Sequence, residues 1–275
     1  MEDVARQHPI GVYDSGVGGL TVVHWLREIL PQERIVYFGD TERVPYGGRL
    51  PEEIVAFSRQ ILGFLWEQGA KFVIAACNTS SAIALPVVAP EAPIPLLGMI
   101  EAGAKAALDA TQNKRIGMIG TQATVKSHAY ALALQQLEPS ISVYEQACPE
   151  LVPLIEAGHW EGNPIEHTLN KYLTPLAGHQ IDTLILGCTH YPFLLSAIQQ
   201  VLGQGVVVVD PAEATVWEAA HRLKELDLLS SEKSQEDRYF VSGDPRSFQA
   251  SATRLGYTCQ VEHVDVKKYS IGMGV

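Results

Sequence analysis

A chain of 275 residues, 47% of them hydrophobic, is long enough for one large α/β unit or two small ones. Its 20 Lys and Arg against 31 Asp and Glu leave a net charge of −11, which argues against nucleic acid or an anionic membrane as partner, since both need a positive face. No window reaches the roughly 20 apolar residues of a membrane span and no apolar signal core follows the N-terminus. The four cysteines lie far apart without a CxxC pair, so a cytoplasmic, thiol-reduced setting is expected.

In chain order, Ile10–Tyr13 reads as a strand, followed by a Gly-rich turn at Asp14–Gly19 and a helix from Leu20 to Leu30. Ile35–Phe38 is a second strand opening into a polar loop, Gly39–Leu50, before a helix that starts at Pro51, where proline suits the first turn. Phe72–Ala76 is a continuous apolar run of the buried-strand type and ends at Cys77-Asn78-Thr79, with a helix expected over Ser80–Leu85.

The pattern then restarts. Arg115–Gly120 is a strand followed by Thr121 and a helix over Thr124–Leu137, and Ile141–Gln146 is another strand. Pro149–Ala157 and Pro164–Leu176 read as helices, and Asp182–Gly187 is a buried strand ending at Cys188-Thr189-His190 ahead of a helix over Phe193–Leu202. Val206–Val209, a helix over Ala212–Leu226, a charged loop at Ser230–Asp237 and a strand at Arg238–Val241 follow. Strands alternating with helices predict α/β architecture with parallel sheets.

Two segments repeat. Ile10-Gly11-Val12-Tyr13 matches Ile116-Gly117-Met118-Ile119, and Val73-Ile74-Ala75-Ala76-Cys77 matches Leu184-Ile185-Leu186-Gly187-Cys188, at offsets of 106 (117 − 11) and 111 (188 − 77) residues. Near-equal offsets imply two lobes of similar build, each placing a cysteine after its own central strand. Open parallel sheets bind ligands outside the carboxyl ends of their strands, where both cysteines fall. A helix N-terminus there favours a thiolate and offers free N–H groups to a carboxylate. Buried cysteines are commonly plain packing residues, and Cys148 and Cys259 read as such. Cys77 and Cys188 stand apart because they follow their apolar runs and share matched contexts.

Gly16-Val17-Gly18-Gly19 lacks GxGxxG spacing and no GxxxxGK[ST] occurs, so this turn reads as a backbone approach to a small anion. Cys188 and His190 lack the dense Cys/His set of a metal centre. His24 and His128 read as surface or packing residues.

Asp14-Ser15-Gly16-Val17-Gly18-Gly19, Val44-Pro45-Tyr46-Gly47, Ala76-Cys77-Asn78-Thr79 and Gly187-Cys188-Thr189-His190-Tyr191-Pro192 together resemble the glutamate racemase family, in order and spacing, from about Ile10 to Asp210. The resemblance implies two pseudosymmetric α/β lobes of open parallel sheet with the active site in the cleft between them. Lobe 1 would comprise 1–98 and a returning part, 210–275; lobe 2 would be 99–209. It implies interconversion of L- and D-glutamate without pyridoxal phosphate, metal or other cofactor, supplying D-glutamate for peptidoglycan, and a homodimer. Cys77 would take the proton from D-glutamate and Cys188 from L-glutamate, with Asp14 assisting Cys77 and His190 assisting Cys188. Ser15, Pro45, Tyr46, Gly47, Asn78, Thr79, Thr121, Thr189 and His190, together with Asp14, would line the substrate. Glu156 is either a further acid on the Cys188 side or a solvated helix residue. Two other readings stay open: an aspartate or hydantoin racemase with the same cysteine pair, and a two-lobed protein that binds an amino acid without chemistry.

Overall fold

The computed structural model describes residues 5–232 and 236–271. Ten strands, β1 (Ile10–Asp14), β2 (Ile35–Gly39), β3 (Phe72–Ala75), β4 (Leu96–Gly98), β5 (Arg115–Gly120), β6 (Ser142–Ala147), β7 (Thr183–Gly187), β8 (Val207–Val209), β9 (Arg238–Val241) and β10 (Val261–His263), form two sheets among these residues. The first runs β10-β9-β2-β1-β3-β4 and the second β6-β5-β7-β8, and every pairing in both is parallel.

The order β2-β1-β3-β4 repeats as β6-β5-β7-β8, which is the internal repeat seen in the sequence expressed as topology. In each, the chain leaves the first strand to one side and returns on the other. The strand order therefore reverses between β1 and β3 and again between β5 and β7. Such reversals open the crevice in which parallel sheets hold ligands. Strands β9 and β10 extend only the first sheet, so the C-terminal segment returns to the sheet built by the N-terminal one.

These central strands are fully buried and mostly apolar, as parallel sheets covered on both faces require. The edge strands β6, β8 and β10 are partly exposed. Helices Leu20–Ile29, Pro51–Glu67 and Pro211–Glu225 cover the first sheet or its border, burying one stripe each. Asp210 caps Pro211–Glu225 by accepting from the Ala212 N–H, with proline at the first helical position. Among the described residues no helix is long and apolar enough to cross a membrane.

Three local differences from the sequence expectation have physical causes. The helix expected over Thr124–Leu137 is two, Gln122–Ser127 and Ala129–Leu137, broken where His128 takes φ 53°. The helix expected from Phe193 begins with a 3-10 turn, Tyr191–Leu194, since Pro192 withholds an N–H and regular helix starts at Leu195. Strand β4 and helix Met99–Ala110, unforeseen in the sequence, link the two sheets.

Candidate active site

Strand β1 delivers Asp14 and Ser15 to the first crevice, and β3 delivers Cys77. The two turns are tied together by the Ala76 N–H, which donates to the Tyr13 carbonyl at 2.9 Å. Asp14 is fully buried, and its Oδ2 accepts from the Gly16 N–H at 2.9 Å, folding the turn back on itself. The Tyr37 hydroxyl donates to the Gly16 carbonyl at 2.6 Å and pins that turn to β2. In the second sheet, β5 delivers Thr121 and β7 delivers Cys188, Thr189 and His190.

The two crevices face each other and close on one small cavity. Ser15, Pro45, Tyr46, Gly47, Cys77, Asn78, Thr79, Thr121, Cys188, Thr189 and His190 line it, so residues picked from separate turns of both sheets meet at one place. Val44 and Val152 complete the wall, and neither carried a chemical signal in the sequence. Asp14 lies beside the cavity rather than in its wall, held by the Thr189 hydroxyl at 3.2 Å. Glu156 sits at the rim with 40% of its side chain exposed, its Oε1 3.3 Å from His190 Nε2 but outside hydrogen-bond geometry. Both readings of Glu156 thus have a basis: it is partly solvated, and it faces the imidazole.

The electrostatics of the two cysteines differ. Burial pushes the Cys77 thiol up to about 12, and the charge of Asp14 adds to the effect against opposing bonds from the Ser80 backbone and side chain. The sequence expectation of a depressed thiol pKa at a helix N-terminus is therefore reversed at Cys77. The helix that follows, Asn78–Ile83, has only six residues, and the site is too dry for its dipole to outweigh desolvation. On the other side, His190 Nδ1 lies 3.9 Å from Cys188 Sγ. Burial disfavours the imidazolium, yet the Cys188 and Glu156 side chains beside it and the charge of Asp14 prevail, and His190 is pushed up to about 10. Asp14 is itself raised by burial, opposed by the His190 charge and by bonds from Gly16, Thr189 and Gly19.

The loop carrying Pro45, Tyr46 and Gly47 is held from below. Buried Asp40 accepts from the Tyr46 hydroxyl, from Arg43 Nε at 2.9 Å (Oδ1) and from the Ser242 hydroxyl at 2.7 Å. At the loop tip Gly47 lets the backbone touch the opposite lobe, because a Cβ there would sit 2.7 Å from Thr121 Cβ. Across the same seam the hydroxyls of Thr79, Thr121 and Thr124 form a triangle with edges of 3.0, 3.0 and 3.2 Å. Thr124 and Tyr130, whose hydroxyl donates to Asn78 Oδ1 at 2.6 Å, are site residues that sequence reasoning did not find. All four cysteines are free and buried, and Cys148 and Cys259 lie in apolar clusters away from the cavity wall. Among the described residues no group of three or more Cys, His, Asp or Glu is arranged to hold a metal ion.

Two buried thiols on opposite lobes, an imidazole beside one and hydroxyl and amide donors around them suit proton exchange at a small, polar, anionic molecule. Comparison with known proteins agrees in kind. The family profile described as Asp/Glu/Hydantoin racemase matches residues 21–219. A glutamate racemase of Picosynechococcus sp. is 46% identical over 95% of this chain and 94% of its own. Among solved structures, a glutamate racemase isoform of Bacillus anthracis superposes with a TM-score of 0.92 at 39% identity, covering 95% of this chain and 99% of that one. The glutamate racemase of Francisella tularensis, solved in complex with D-glutamate, gives 0.89 at 38% identity over 96% and 100%.

Proposed function

The chain belongs to the aspartate/glutamate/hydantoin racemase family, and from that premise we propose that it interconverts L- and D-glutamate by proton transfer between Cys77 and Cys188. The observation that carries this reading is the pair of thiols lining one cavity from opposite sheets, each after the strand at which its sheet reverses order. Glutamate rather than aspartate is favoured by the identity with glutamate racemases along nearly the whole chain.

Inverting an α-carbon requires a base on one face and an acid on the other. A protonated His190 beside Cys188 stabilises a Cys188 thiolate, while Cys77, pushed up to about 12, holds its proton. In this state the Cys188 thiolate takes the α-proton of L-glutamate, and the electron pair left on carbon delocalises into the α-carboxylate. Cys77 then gives its proton to the opposite face, so that D-glutamate, a Cys188 thiol and a Cys77 thiolate result. The reverse reaction starts from that second state. Asp14 acts beside Cys77 and His190, and Glu156 supports the imidazolium from the rim. Ser15, Asn78, Thr79, Thr121, Thr189 and the Pro45–Gly47 loop hold the carboxylates and ammonium so that the α-carbon lies between the sulfurs.

No cofactor is required by this chemistry. The product serves as the D-glutamate of peptidoglycan, made in the cytoplasm by a homodimer whose protomer divides into 1–98 with 210–275 and 99–209. The test is the circular dichroism of L-glutamate incubated with reduced protein without pyridoxal phosphate. Decay of the signal to zero is expected, and it should be lost in Cys77→Ser and in Cys188→Ser. A constant signal with glutamate but decay with aspartate would replace the substrate, and full racemisation by either serine variant would remove the two-thiol mechanism.

A further inference from the structure

Asn78 is buried, and Tyr130, fully buried on helix Ala129–Leu137 of the other lobe, donates its hydroxyl to Asn78 Oδ1 at 2.6 Å. Burial keeps this phenol protonated, and among the described residues the Asn78 carboxamide oxygen is the one acceptor its proton reaches, so a carboxamide turned the other way would strand that proton. It therefore dictates which way round the carboxamide sits. The oxygen faces Tyr130, and the amide nitrogen, buried and without a protein partner, is left for the cavity that Asn78 lines.

One residue along, the Thr79 hydroxyl is fixed by similar logic. Thr121 Oγ1 accepts from the Thr124 N–H at 3.2 Å, which occupies one of its two lone pairs. The Thr124 hydroxyl lies 3.0 Å from the same oxygen, and Thr121 lies 3.0 Å from Thr79. With the order Thr124 to Thr121 to Thr79 every lone pair of Thr121 is used, and the Thr79 proton is left to Thr124 Oγ1, the longest edge at 3.2 Å, or to an acceptor arriving in the cavity. Aligned hydroxyls polarise one another and strengthen the last donor.

We propose that Tyr130 and Thr124 are positioning residues that turn the Asn78 amide and the Thr79 hydroxyl into a donor-only pocket for one carboxylate of the substrate. Neither touches the cavity. Both belong to helices that follow β5, while the groups they orient follow β3, so the pocket acquires its polarity only when the two lobes meet. The assignment rests on the racemase reading above.

Steady-state racemisation of L-glutamate by the full chain tests it, with Tyr130→Phe, Thr124→Val and Thr124→Ser. Each of the first two keeps the side-chain shape and removes one hydroxyl. Freed from Tyr130, the carboxamide can turn its oxygen toward the incoming carboxylate. Expected is a roughly tenfold rise in KM for both, with kcat changed less than about threefold, since a binding contact rather than a proton-transfer group is lost. Thr124→Ser restores the hydroxyl and should return KM to the wild-type value. Unchanged KM in Tyr130→Phe and Thr124→Val overturns the assignment. So does a loss of kcat and thermal stability that Thr124→Ser fails to restore. If Tyr130→Phe does not fold, the Thr124 pair decides on the same criteria. A wild-type chain inert toward glutamate overturns the racemase reading instead, so the two failures are told apart.

Discussion

Thr189 and Asp14 meet across the cleft, the hydroxyl donating to Asp14 Oδ1 at 3.2 Å although 175 residues separate them. Thr189 adjoins Cys188, and the charge of Asp14 acts on Cys77, so one hydrogen bond joins the environments of both thiols. Each lobe thus completes the other's side of the cavity, and the site exists only with both sheets in register.

Asp14→Asn should separate activity from stability. Burial raises the Asp14 pKa above the value of about 3.8 in the unfolded chain, so the folded state holds that proton more tightly. Its ionisation costs folding free energy, and the cost grows as pH rises from the unfolded pKa through the folded one. The melting temperature of Asp14→Asn relative to wild type should therefore be higher at pH 8 than at pH 4. Racemisation should fall by at least about tenfold, the scale of a lost acid-base partner. Thermal melts at the two pH values and the dichroism assay check both; an unaltered rate would remove Asp14 from the mechanism.

His190 carries the opposite sign. Its folded pKa, pushed up to about 10 by Cys188, Glu156 and Asp14 against the effect of burial, exceeds the unfolded value of about 6.5. Below pH 6.5 both states bind the proton and the stabilisation is fully present; it is lost as pH rises toward 10. The melting-temperature advantage of wild type over His190→Asn should shrink across that window. A gap independent of pH would mean that the buried imidazole is neutral.

Asp40→Asn tests the support of the Tyr46 loop. The change leaves Arg43, whose side chain is 9% exposed, without its charge partner in a buried place, a loss on the order of 3–5 kcal/mol. Tyr46 also loses its ionised acceptor, so the Pro45–Gly47 wall of the cavity should loosen. Expected are a lower melting temperature and a higher KM for glutamate. A variant that melts with wild type would show that the Asp40–Arg43 pair contributes nothing net.

The parts of this site that could be read from sequence are those written in contiguous residues. Continuous apolar runs ending in Cys77 and Cys188 marked the strand ends, and the repeat around them foretold matched sheets. Strand β4 escaped notice because three residues between Pro95 and Met99 show no periodicity. Strand β10 escaped because it is short, polar and largely exposed. The break at His128 has neither glycine nor proline to announce it. Tyr130 and Thr124 acquire their roles only through partners 52 and 45 residues away, across the lobe seam. The direction of the Cys77 shift was missed for a related reason: desolvation depends on what closes over a group, and Tyr46 and Ile54, which pack with Cys77, are distant from it in the chain.

Gly18→Ala is the sharpest test that lobe contact, rather than any single functional group, sets the rate. A Cβ at Gly18 would lie 2.4 Å from Thr189 Oγ1 and 2.8 Å from His190 Nδ1, so those side chains must retreat. Gly18 does not have a positive φ, and its backbone accepts alanine without strain. The first lobe should fold as before while the Cys188 side is held away from it. Displacement by about 1 Å at a reacting centre costs on the order of 100-fold in rate, and kcat should fall by that scale. Gly48→Ala is the matched control, since a Cβ there meets nothing within 4 Å. Equal kcat in the two variants would show that the cleft tolerates the displacement, and that the contact of Gly18 with Thr189 and His190 does not govern catalysis.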